Sequence, residues 1–135
     1  MTQTTKRALQ HWHEVAAGGS TPAALETILH PDCVFHSPVV HTPQEGKAIV
    51  IAYLSAAGQT LGNDEFCYLR EVVDGNTAVL EFQTMMDGIQ VNGIDMITFD
   101  DESLITDFKV MVRPLKAINK VWEMMGQQLE KAQRA

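Results

Sequence analysis

The chain has 135 residues, 45% apolar and 20% charged, with a formal net charge of −7 at pH 7. That length corresponds to one domain, spanning 1–135, able to bury a core or to wrap one around a modest pocket. The negative charge argues against a nucleic-acid partner and an anionic membrane surface, which need a basic patch. No apolar run approaches the roughly 20 residues of a membrane helix. The polar start, Met1 to Arg7, lacks the apolar segment of a signal peptide, so a cytoplasmic protein is expected. Cys33 and Cys67 have no C-x-x-C spacing and read as free buried thiols.

In chain order, residues 5–17 predict a helix with Leu9, Trp12, His13 and Ala16 on one face, ended by Gly18-Gly19. Thr21-Pro22 opens a second helix, as N-cap and first helical residue, with Leu25, Ile28 and Leu29 apolar and His30-Pro31 as its stop. Cys33 to His36 reads as a short strand broken by Ser37-Pro38. Thr42-Pro43-Gln44-Glu45 has the form of a capping box and predicts a helix running to about Ala57. Its buried side would be Ile49, Val50, Tyr53, Leu54 and Ala57, with Gly58 as terminator.

Four strands follow: Phe66 to Val73, Thr77 to Met86, Ile89 to Asp100 and Leu104 to Val112. Short turns at Asp74-Gly75-Asn76, Asp87-Gly88 and Asp101-Glu102-Ser103 join them into an antiparallel meander. Pro114 opens a last helix with the stripe Leu115, Ile118, Trp122, Met125 and Leu129. The sum is an α+β fold with helices gathered on one face of a curved sheet.

Asp95 stands out. Strand alternation puts Val91, Gly93, Asp95, Ile97 and Phe99 on one face, apolar except for that carboxyl. A carboxylate there must be paired, hydrated or protonated. Held neutral, it can donate a hydrogen bond to a ligand oxygen; the alternative is a structural acid bonded to a neighbouring histidine, tyrosine or amide. His36 and His13 are candidate proton-transfer groups or satisfied structural histidines. His36, His41 and Asp95 match no metal-ligand spacing, so no metal is expected.

Val34-Phe35-His36-Ser37-Pro38-Val39 followed by Gly46 and a helix, then Gly93-Ile94-Asp95, then Ile105 to Pro114, resemble the nuclear transport factor 2-like superfamily. The superfamily's cystatin-like cone includes ketosteroid isomerases, SnoaL-like polyketide cyclases and limonene epoxide hydrolases. The resemblance implies a curved antiparallel sheet wrapped around three helices of the N-terminal half, with a C-terminal helix. It implies that Asp95 matches the neutral oxyanion-hole acid of ketosteroid isomerases and that His13 falls near their tyrosine donor. Their base position looks like Ser37, and the acids of the other two branches fall near Val110. The pocket is expected to be lined by Phe35, Ser37, Tyr53, Phe82, Ile97, Phe99 and Trp12. The expected ligand is a small apolar molecule bearing an oxygen. Asp95, with His36 or His13, would isomerise, cyclise or hydrate it without a cofactor; the alternative is a non-catalytic binding or interaction module. A homodimer through the outer sheet face, including Ile94, Met96, Met111 and Met85, is also implied.

Overall fold

The computed structural model describes residues 2–134; Met1 and Ala135, the ends of the expected domain, lie outside the described residues. Helix α1, Gln3–Ala17, begins where Thr2 accepts a bond from the Thr5 amide (3.0 Å). It buries Ala8, Leu9, Trp12 and Val15. Helix α2, Pro22–Glu26, has Thr21 as N-cap and Pro22 in its first turn, as the sequence predicts. It is shorter than expected. Leu29, His30 and Pro31 belong instead to strand β1, Leu29–His36, whose ladder is irregular between Leu29 and Val34 around an imino nitrogen that cannot donate.

Thr42-Pro43-Gln44-Glu45 does not open a helix. Gln44–Glu45 forms strand β2, pairing Phe35 with Gln44 and Val34 with Glu45. Gly46, at φ 104°, then turns the chain into helix α3, Lys47–Leu61. The ladder to β1 takes up the backbone groups that a capping box would have satisfied. Gly58 lies inside α3 rather than ending it. A Cβ there would meet the Gly19 carbonyl oxygen and Ser20 Cβ at 2.8 Å, so the missing side chain lets α3 approach the α1–α2 turn.

The meander consists of β3, Cys67–Asp74, β4, Thr77–Met86, β5, Ile89–Phe99, and β6, Ile105–Arg113. The curved, open sheet has the order β2-β1-β6-β5-β4-β3. Every neighbouring pair is antiparallel except β1 and β6, which run parallel. The β1 strand is reached from β6 through no direct turn, so no hairpin dictates its direction. Both cysteines are free; Cys33 is buried, as expected, but Cys67 opens the edge strand β3 and is exposed.

Helix α4, Leu115–Arg134, packs on α3 and against β5 and β6. Its buried stripe is Ala117, Val121 and Met125, whereas Leu115 and Trp122 are 71% and 64% exposed. The expected stripe shares only Met125 with this buried set. An apolar helix with large side chains on two faces does not reveal which face will be covered, and the small Ala117 wins the close contact. The fold is the α+β cystatin-like cone expected, with its core between the concave sheet face and the helices.

Candidate functional site

On β5, alternation turns Val91, Gly93, Asp95, Ile97 and Phe99 inward, and all five are buried. Gly93 is needed there. Its Cβ would strike the Met111 carbonyl oxygen and the Phe82 ring, which lies across β5 from the paired position on β4. The Phe82 ring stacks on Phe66 with centroids 5.4 Å apart. One inward residue beyond Gly93 stands Asp95, 7% exposed.

The partner of Asp95 comes from the edge strand. The ladder between β3 and β4 slips between Tyr68 and Arg70, so Leu69 is the extra residue of a β-bulge. The bulge rephases β3, allowing both Tyr68 and Glu71 to reach α1. The Tyr68 hydroxyl donates to Asp95 Oδ2 at 2.7 Å and accepts from Trp12 Nε1 at 3.0 Å. Asp95 Oδ1 accepts nothing from any described residue, yet it is not sealed off.

Burial pushes the Asp95 carboxyl up to about 7, against the Tyr68 hydrogen bond, which pulls it down. Burial first, and then the adjacent Asp95, push the Tyr68 hydroxyl far above its ordinary range. Tyr68 is therefore a donor and not a base. The two groups open on a cavity of about 70 Å³ walled by Leu54, Leu61, Phe66, Phe82, Phe108 and Val110, with Trp12, Ala16 and Ser20 on the α1 side. Among the described residues, Asp95 and Tyr68 are the only titratable ones lining it.

The other candidates sit as follows. Trp12 and Phe82 line the cavity. Phe35, Ile97 and Phe99 are packed in the core and do not line it, nor does Tyr53, whose ring packs tilted against Phe35 with centroids 5.3 Å apart. His13 lies on the flank of α1, its Nε2 2.7 Å from Glu71 Oε1 and its ring edge-on to Tyr68 at 5.4 Å. His36 follows the inward Phe35 and so faces outward, where its Nε2 is 2.8 Å from Asp107 Oδ1. Ser37 Oγ accepts from the amides of Val39 and Val40. His36 and Ser37 share an outer cleft with Lys109, on the opposite sheet face from Asp95.

The sequence reading passed over Tyr68, Phe66 and Phe108. Alternation from Phe66 was the available signal for Tyr68. Among the described residues, no three His, Cys, Asp or Glu side chains come together to hold a metal. No described helix is long and apolar enough to cross a membrane.

These features define a nuclear transport factor 2-like cone with an acid on its inner wall. Residues 9–108 match the SnoaL-like domain family, and the chain belongs to it. It is similar to a steroid delta-isomerase from Pseudomonas aeruginosa, with 36% identity over 100% of this chain and 98% of that one, at a TM-score of 0.92. It is also similar to an uncharacterised bacterial protein with a cystatin-like fold from Silicibacter pomeroyi, 29% identical over 94% and 88% of the two chains, TM-score 0.85. An NTF2-like protein from Mesorhizobium loti, 20% identical over 84% and 93%, shares the fold at a TM-score of 0.70. No curated protein matches the chain.

Proposed function

We propose that the inner cavity binds a small, mostly apolar molecule through one oxygen, and that Asp95 exchanges a proton with it in a cofactor-independent isomerisation. The observation carrying this reading is the free oxygen of a buried acid that titrates near 7 and opens on apolar walls. An acid with that affinity both gives and takes a proton at neutral pH. The apolar lining strengthens any hydrogen bond it makes to developing negative charge.

Isomerisation is preferred over cyclisation or hydration because a relative covering the whole chain bears the name steroid delta-isomerase. The substrate is smaller than a steroid. A cavity of about 70 Å³ lies well below the roughly 300 Å³ at which ordinary small-molecule sites begin. His36 and His13 lie outside the cavity, and Ser37 is bound in its own turn, so the neutral Asp95 gives its proton to the ligand oxygen as water takes the α-proton, and regains it when the enol returns to the ketone.

Proton exchange of small ketones, from acetone to cyclopentanone, followed by NMR in D2O tests this. The protein should accelerate α-proton exchange. Asp95→Asn should lose roughly 10²- to 10⁴-fold of the acceleration, and His36→Ala should keep it. Binding without exchange would leave a non-catalytic ligand carrier. Equal exchange by Asp95→Asn would remove Asp95 from the chemistry.

A second copy of the chain is the partner best supported for the outer sheet face. Exposed Val72 and Met111 stand there beside Val79 and Ile94, in an open cleft of about 400 Å³ rimmed by Arg70, Glu81 and Arg113. An apolar centre with a charged rim suits an interface. Sedimentation at micromolar concentration should give a dimer mass; a monomer would overturn this pairing.

A further inference from the structure

Three polar groups run in a line from α1 to the cavity: Trp12 Nε1, the Tyr68 hydroxyl and Asp95 Oδ2, spaced 3.0 and 2.7 Å apart. An indole N–H only donates. The Tyr68 oxygen therefore accepts from Trp12, and its single proton is directed to the other polar atom within reach, Asp95 Oδ2. That makes Oδ2 an acceptor. A neutral carboxylic acid carries one proton, and with Oδ2 already facing a donor the proton belongs on Oδ1. Oδ1 is the oxygen without a partner among the described residues.

We propose that Trp12 is a positioning residue that, acting through Tyr68, holds the acid proton of Asp95 on Oδ1 and so selects ligands whose oxygen only accepts, a ketone over the matching alcohol, whose own O–H would be left unpaired among the apolar walls. The inference rests on the reading above that Asp95 is neutral when it meets its ligand. The surrounding elements offer little to oppose it. Glu71 of β3 acts on Tyr68 and is itself held by His13 of α1. The cavity residues of α3, β4 and β6 carry no charge.

Trp12→Phe keeps an aromatic ring against Phe108, which Trp12 meets edge-on at 4.8 Å, but removes the donor. The Tyr68 oxygen is then free to accept from Asp95. The proton can move to Oδ2, and Oδ1 becomes an acceptor.

Two readouts at pH 5 test this on the full chain: the infrared carbonyl stretch of the protonated acid, assigned by its absence in Asp95→Asn, and the relative affinity for cyclopentanone and cyclopentanol. The wild type should prefer the ketone about fivefold, the weight of one neutral hydrogen bond. Trp12→Phe should shift the carbonyl band and lose the preference. Tyr68→Phe should raise the band, and adding Trp12→Phe to it should change nothing further, because Trp12 acts only through that hydroxyl. If Trp12→Phe fails to fold, Tyr68→Phe carries the test with the same loss of preference. An unchanged band and preference in these variants, with the protonated acid present, would overturn the role of Trp12 alone. Absence of any protonated Asp95 band in the wild type would overturn the neutral-acid reading as well.

Discussion

Asp95→Asn should free the fold of a pH-dependent penalty on the order of 4 kcal/mol, so that the variant is the more stable protein above neutrality. The carboxyl rises from 3.8 to about 7 on folding, because burial removes water from its charged form. Below about pH 4 the acid is neutral in both states and contributes no penalty. As pH rises from there, the unfolded chain ionises freely while the folded chain holds its proton, and stability falls. Above about 7 both states are ionised and the penalty is complete. Asn has nearly the same shape, and its carbonyl can accept from Tyr68. Urea unfolding of both proteins at pH 4 and pH 8 measures the effect, since the other carboxylates cancel in the difference. The gap between variant and wild type should widen by several kcal/mol across that range. Parallel pH dependences would show that Asp95 titrates as an ordinary surface acid.

Phe108→Ala should cost about 3–5 kcal/mol, the range for deleting a buried aromatic ring. Phe108 is 1% exposed and joins Trp12 to Phe35, with ring centroids at 4.8 and 6.2 Å. It also walls the cavity beneath Asp95. The loss would be a large share of the roughly 5–15 kcal/mol that holds a domain together. The same deletion enlarges an apolar cavity, and engineered cavities of about 150 Å³ bind benzene. Benzene should therefore raise the Tm of Phe108→Ala by more than it raises that of the wild type. A loss under about 1 kcal/mol would show that this ring is not what sets the size of the cavity.

Much of the sheet was legible. Strand β4 has the bounds expected, Thr77–Met86, and β3, β5 and β6 differ from expectation by about one residue at an end. Alternation works on β4 and β5 because one face is buried along nearly the whole strand, so a single periodicity is enforced; β3, at the sheet edge, is legible from its turns instead. The helix-breaking and helix-starting signals were less reliable. The Thr42–Glu45 segment has sound local capping chemistry, yet pairing with β1 offers its backbone more. Gly58 has the right residue type for a terminator, but its use is a close approach between helices. Neither preference is visible without the neighbour.

The candidate site divides in the same way. Asp95 was found because a charge on an apolar strand face is costly wherever that face points. Its partners were missed because they come from distant elements: Trp12 from α1 and Tyr68 from an edge strand rephased by a bulge at Leu69. His36 looked available on the chain, but its place beside inward Phe35 puts it on the other side of the sheet.

By itself, then, the sequence determined the meander and one buried acid, because hydrophobic periodicity and the cost of burying charge are local properties; the cone was implied by the resemblance. Only the tertiary structure decided the direction of β1, the covered face of α4, the size of the cavity and the oxygen of Asp95 left open to it. Those depend on which backbones come into register and which side chains compete for the same space, and no single segment carries that information.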